Sequence, residues 1–249
     1  MTDKAMDDIF DIIMMIKGRI RFYSLFALFS LLISCDKGNE SLIILNPWIT
    51  YGSMSDQDGN TYKTILIGTQ TWMAKNLTTT KFNDGTVIPL VTDAATWSNL
   101  STPACCWQNN DPARKVTYGV LYNWYAINTG KLCPAGWHVP SDGEWTVLTD
   151  FLGGDNIAGS KLKESGFRHW DSPNTGSTDE SAFSAYPGGK RLGSPDASFV
   201  DLRESGWWWT ASSDKDWAVN RLMNYNSINT QKYFQPKNYG LSVRCVWNY

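Results

Sequence analysis

Three consecutive tryptophans, Trp207, Trp208 and Trp209 in the run GWWWTASS, constrain this chain more than any other feature. Side chains of a strand alternate faces, so Trp207 and Trp209 share one side and Trp208 points to the other. The three rings cannot all serve one core. Aromatic residues dominate small cores, and the charged turn Asp214, Lys215, Asp216 follows at once, which aims this strand toward solvent. The expectation is that Trp208 packs inside, while Trp207 and Trp209 join Trp217 in an aromatic surface suited to stacking on sugar rings or a partner.

Those rings belong to a chain of 249 residues with thirteen tryptophans and 42% hydrophobic content, enough to bury one sizeable core in one or at most two domains. The formal charge is -2, and Lys and Arg are scattered along the chain, so it carries no electrostatic footprint for nucleic acid. Histidines are His138 and His169 alone; cysteines are Cys35, Cys105, Cys106, Cys133 and Cys245. No CxxC, HExxH or paired-His spacing occurs, so neither a metal site nor a cofactor is expected. Each histidine is read as a structural hydrogen bonder.

The N-terminal region reads as an address. Phe22 to Ile33, FYSLFALFSLLI, is uncharged, follows Lys17, Arg19 and Arg21, and is shorter than the roughly twenty apolar residues of a membrane span. It fits the apolar stretch of an export signal. Leu32-Ile33-Ser34-Cys35 resembles the lipobox of bacterial lipoproteins, which makes Cys35 the lipidated residue and the new N-terminus. Asp3, Asp7, Asp8 and Asp11 are foreign to such a signal, and a start at Met14 or Met15 removes them. The reading is a signal peptide over 1–34, a lipidated tether over 35–55, and a folded domain over 56–249. Asp36 and Glu40 after the cysteine resemble the surface-export signal of Bacteroidetes lipoproteins, so the expected location is the outer membrane, facing outward.

Along the domain, TYKTILI predicts a strand over 61–67, QTWMAKNL a second strand or extended arm, and the Asn83-Asp84-Gly85 turn a shorter strand over 86–91. Tyr118, Leu121, Tyr122 and Tyr125 fall at helical spacing and predict a helix over 118–127. Ser141-Asp142-Gly143-Glu144 is a capping box opening a helix over 142–152, whose buried face is Trp145, Leu148 and Leu152. A short helical piece is expected at 157–165. From Gly166 to Phe199 the chain reads as loop held by Phe167, Trp170, Phe183 and Tyr186. Strands return at 206–212, 217–224 and 239–247.

IGTQTWMAKNL, FNDGT, the run from Tyr118 to Gly154, GSKLKESG, FSAYPGGKR, GWWWTASS and GLSVRCVW, in that order, are similar to the Fibrobacter succinogenes major paralogous domain. This family occurs in secreted and lipid-anchored proteins of Fibrobacteres and Bacteroidetes, and the resemblance covers about residues 56–249. It is similar in turn to the C-type lectin-like superfold, including the formylglycine-generating type, through Trp137 to Ser141, Glu144-Trp145 and a terminal strand near Arg244. The implied fold class is α+β: two main helices flank small twisted antiparallel sheets, with a long loop region as binding surface. By the superfold's habit of tying an early helix region to the last strand, the resemblance also implies a Cys133–Cys245 disulfide. The pairing of Cys105 and Cys106 stays open.

Calcium-dependent sugar-binding members of the superfold use a Glu-Pro-Asn or Gln-Pro-Asp loop and a Trp-Asn-Asp strand. Here Gln235-Pro236 is followed by Lys237, an ammonium where a carboxylate should chelate the ion. Trp107 to Asp111 loosely resembles the second motif, which adds Trp107 and Asp111 to the ligand-binding candidates. The formylglycine-generating enzymes act through two nearby cysteines, a spacing that Cys133 and Cys245 lack. The adjacent carboxylates Asp179 and Glu180 do not suit glycoside hydrolysis, which needs two facing each other across a sugar. The functional expectation is a non-catalytic, surface-anchored module that binds polysaccharide or a cell-surface protein. The alternative is an assembly subunit of a surface adhesin.

Overall fold

The computed structural model describes residues 49–249. The expected signal peptide, the lipidation site Cys35 and all but the end of the tether lie outside the described residues. The tether's expected end is folded: β1 (Gly52–Ser55) pairs antiparallel with β2 (Thr61–Ile67), so the domain begins before Asp56. The turn between them is built on Asp56, whose carboxylate accepts from the backbone N–H of Asp58 and of Asn60, both at 2.9 Å.

β3 (Gln70–Met73) returns along β2, and the expected strand over 86–91 is replaced by isolated bridges, Lys81 with Val87 and Leu90 with Cys105. Then come α1 (Ala94–Ser98), β4 (Cys105–Cys106), a single 3-10 turn over Gln108–Asn110, and α2 (Pro112–Tyr118). The helix expected over 118–127 does not form. Gly119, at φ 88, ends α2; Leu121–Tyr122 extends as β5 against β4; and the Asn123 side chain caps a new four-residue turn, α3 (Trp124–Ile127). An alanine Cβ at Gly119 would lie 2.7 Å from Asn76 Cβ, so chain reversal and close approach both demand glycine.

β6 (Trp137–His138) leads into α4 (Asp142–Phe151), which carries the expected capping box: Glu144 N donates to Ser141 Oγ, and Ser141 N donates to the Glu144 carboxylate at 2.8 Å. Trp145 and Leu148 are fully buried beneath it. α5 (Asp155–Leu162) follows after Gly153-Gly154. The expected loop is largely irregular from 163 to 187, and Trp170, Phe183 and Tyr186 are buried within it whereas Phe167 is exposed. It ends in β7 (Gly188–Arg191) and β8 (Phe199–Leu202), which sequence periodicity does not reveal.

β9 (Ser205–Asp214) and β10 (Trp217–Asn224) form as expected, joined by the unpredicted β11 (Thr230–Pro236). The strand expected over 239–247 shortens to β12 (Val246–Trp247), preceded by single bridges from Gly240, Leu241 and Ser242. One sheet has the order β1-β2-β3-β12-β6, and a second β11-β10-β9-β7-β8, antiparallel apart from the β7–β9 pair; β4-β5 is a separate ribbon. With few helices beside small sheets, the architecture is α+β.

β9 is covered on both faces. Trp207 and Trp209 enter one apolar cluster with Tyr122, Trp124, Leu222, Cys133 and Cys245; Trp208 enters another with Trp72, Trp145, Phe183 and Met223. Three buried cations organise the irregular segments by donating to backbone carbonyls. Lys163 holds those of Thr175, Asn224 and Ser227; Arg191 those of Val91, Thr92 and Ala197; Arg244 those of Met73, Phe183 and Ser184. Burial pushes the Lys163 ammonium down to about 8 and the Arg244 guanidinium down to about 9.

Candidate functional site

The expected surface of Trp207, Trp209 and Trp217 does not exist. Trp207 is 7% exposed and Trp209 is fully buried, because the face assigned to solvent packs into an apolar cluster of its own. The alternation itself is correct. Trp208 packs inside as expected, and its indole N–H donates to Asn76 Oδ1 at 2.9 Å. Trp217 is half-exposed, but the β10–β11 register puts it on the opposite face from Trp207, in line with Val219 and Phe234. Asp111 caps α2 by accepting from Ala113 N and pairs with Arg114 at 3.5 Å. The Cys133–Cys245 disulfide is present, and Cys105 and Cys106 are buried free thiols, each pushed up to about 12 by burial.

What the fold brings together is a set of lysine–tryptophan stacks around one core. The Lys190 ammonium lies 3.6 Å from the ring centre of Trp207, that of Lys237 4.7 Å from Trp124, and that of Lys115 5.6 Å from Trp107. Trp207 and Trp124 belong to the same cluster, and Trp107 packs against it. Local structure explains each pairing. Lys190 sits on β7 beside β9, one residue after the Gly189–Gly206 pair. Lys237 follows β11, and its carbonyl accepts from Trp124 N at 2.9 Å. Lys115 stands in the last turn of α2, while Trp107 precedes the 3-10 turn.

Tyr233 of β11 completes the Trp207 end, edge-on at 5.7 Å and 42% exposed. On the other side, Trp207 Nε1 donates to Asp201 at 3.0 Å, and Asp201 also meets Lys190 at 3.5 Å. Burial lowers the Lys190 ammonium, an effect that Asp201 opposes. Gln108 joins the Trp107 end to this one, since its side-chain amide donates to the carbonyl of Val200, which faces Lys190 across the β7–β8 pair.

The segment from Trp107 to Arg114 has a further peculiarity. Trp107 Nε1, Gln108 Oε1, Asn110 Oδ1 and Arg114 Nη1 are buried polar atoms without a hydrogen-bond partner among the described residues. Buried polar groups are almost always satisfied, and leaving one unmade costs about 1–3 kcal/mol. Asn109 and Asn110 both adopt φ 54, a left-handed backbone that asparagine tolerates better than most residues. Sequence reasoning singled out Trp107 and missed every lysine. A chain-local signal exists only for Lys115, one α2 segment beyond Trp107; Lys190 and Lys237 reach their rings through sheet pairing.

Half-buried ammonium groups held over indole rings can bind a ligand through charge-assisted hydrogen bonds, and the partly exposed Trp107 ring adds a stacking face. Among the described residues no group of three or more His, Cys, Asp or Glu side chains could hold a metal ion, and no helix is long and apolar enough to cross a membrane. The two histidines each meet a glutamate, His138 with Glu144 at 2.7 Å and His169 with Glu164 at 2.8 Å.

No curated protein and no solved structure matches the chain. The family model described as the Fibrobacter succinogenes major domain matches residues 65–247. The capping-box helix, the three-tryptophan strand and the disulfide all fall within those bounds, and the chain belongs to the Fibrobacter succinogenes major domain family.

Proposed function

We propose that this protein is an outer-membrane lipoprotein, anchored through Cys35, whose C-type lectin-like domain holds polysaccharide at the cell surface without cleaving it. The observation that carries the reading is the set of three stacks, Lys115–Trp107, Lys190–Trp207 and Lys237–Trp124, whose rings belong to or pack against one core. Rings and ammonium groups bind a sugar chain; they do not break its bonds. The lectin-like assignment is supported by α4 and α5, which stand beside small sheets and precede a long irregular segment, and by the disulfide that ties the region before β6 to the last strand.

The full-length protein in mild detergent is expected to be retained on insoluble polysaccharide. Trp107→Ala should weaken that retention while the thermal midpoint changes little, since this ring is only half-buried. Failure to bind any polysaccharide in a broad panel would remove the reading. The anchor is tested separately: labelling by a palmitate analogue should disappear in Cys35→Ala, and persistent labelling would show that the cysteine is not the acceptor.

A second reading has its own observation. Edge strand β11 exposes Phe234 on the same face as Trp217, and Tyr233 on the other, and aromatic residues are enriched at protein interfaces. An assembly role would use that edge, and retention of a cell-surface protein in place of sugar would support it.

A further inference from the structure

Resting on that binding reading, we propose that the ligand is a negatively charged polysaccharide, one whose sugar rings bear carboxylate or sulfate groups, and that Lys115, Lys190 and Lys237 are its anion contacts. Two independent features point there. The first is how these ammonium groups are held. Neither Lys115 nor Lys237 has a carboxylate oxygen within 4.0 Å among the described residues. Lys237 instead donates to the backbone carbonyl of Lys215, and Lys115 faces the Trp107 ring.

All three side chains are half-buried, so these cations are partly stripped of water yet only Lys190 is neutralised, by Asp201. Four other lysines are paired with acids, Lys81 with Asp58, Lys131 with Asp84, Lys161 with Glu180 and Lys232 with Asp142, while the buried Lys163 is occupied by backbone carbonyls. A partly desolvated ammonium attracts an anion more strongly than one in bulk water. The indole beneath holds it at the surface by cation–π attraction, and of the three rings only that of Trp107 is partly exposed.

The second feature is the unsatisfied polar set beside Lys115. Gln108 is 2% exposed and its Oε1 has no partner; Trp107 Nε1 and Arg114 Nη1 are donors without acceptors, and Asn110 Oδ1 is an acceptor without a donor. A neutral apolar ligand would leave these groups unpaired. A sugar supplies both kinds of partner, hydroxyl hydrogens for Gln108 and Asn110 and an oxygen for Trp107, and the Arg114 guanidinium favours an anionic oxygen. Arg114 adds a fourth cation, offset in part by Asp111.

The test is affinity electrophoresis of the full-length protein through gels containing polygalacturonate, dextran sulfate or neutral dextran. Retardation by polygalacturonate, by dextran sulfate, or by both, with none by dextran, supports the proposal and tells the carboxylate source from the sulfate source. Each of Lys115→Gln, Lys190→Gln and Lys237→Gln is expected to weaken binding about tenfold, the loss of one charge-assisted hydrogen bond. Lys→Arg at the same positions keeps the charge and should restore binding, which separates charge from folding defects.

Retardation by neutral dextran or another neutral glycan alone would overturn the anionic assignment and leave the binding module standing. Absence of retardation by every glycan would overturn both. Binding to dextran sulfate that survives all three Lys→Gln changes would place the anion contacts elsewhere and defeat the proposal.

Discussion

Each indole of the three-tryptophan run has its own acceptor: Asp201 for Trp207, Asn76 for Trp208, and the Tyr122 carbonyl for Trp209. Their neighbour Gly206 is equally constrained, since a Cβ there would lie 2.1 Å from the ring of Trp208. Trp208→Ala should therefore destabilise by about 3–5 kcal/mol, as for other large buried rings cut to alanine. It also removes one of two donors to Asn76 Oδ1, the other being Arg244. Trp207→Ala is expected to destabilise as well, though less, because part of that ring's contact is with the partly exposed Lys190 and Tyr233. Chemical denaturation of the two variants decides the matter: unchanged stability in Trp207→Ala would mean that this face is not core. A surface reading required exactly that outcome, and the two-sided burial of β9 reverses it.

The helix that was most readable from residues alone is α4, because a capping box is a local reciprocal bond that needs no distant partner. Burial raises the Glu144 carboxyl, but hydrogen bonds from Ser141 and His138 outweigh it and hold the group below its usual range. Ser141→Ala should cost about 1 kcal/mol, read as a lower thermal midpoint; no change would mean that the box is redundant with the Asp142 and Arg221 contacts at the same helix start. The failed helix over 118–127 shows the limit of such reading. Tyr118, Leu121 and Tyr122 are spaced for a helix, yet Tyr122 and Leu121 pair with Cys105 and Cys106. Tertiary pairing overrode a pattern of four residues. The same limit hid β7, β8 and β11, whose Gly-rich or mixed-polarity sequences carry no clean alternation. At the candidate surface, Trp107 was legible as an aromatic near a motif, whereas Lys190 and Lys237 meet their rings only once the sheet has formed.

The molecule as a whole is held by elements distant in the chain. The disulfide joins residues 112 apart, and the Arg244 guanidinium reaches Asn76, Phe183 and Ser184. Residues 241–245 also lie against β9: Trp209 N donates to the Ser242 carbonyl, Ser242 N donates to that of Trp207, and Leu241, Val243 and Cys245 share the cluster that encloses Trp207 and Trp209. That arrangement sets an order of events during synthesis. When β9 leaves the ribosome, its two apolar faces are already made, but the segment that covers one of them has not yet been translated. Until residues 240–246 arrive, Trp207 and Trp209 lack part of their cover and stay open to water and to other chains, a hazard for aggregation. The domain can close only once residues 240–246 are free to fold, so a nascent chain stalled before that segment would expose its stickiest strand for as long as the stall lasts.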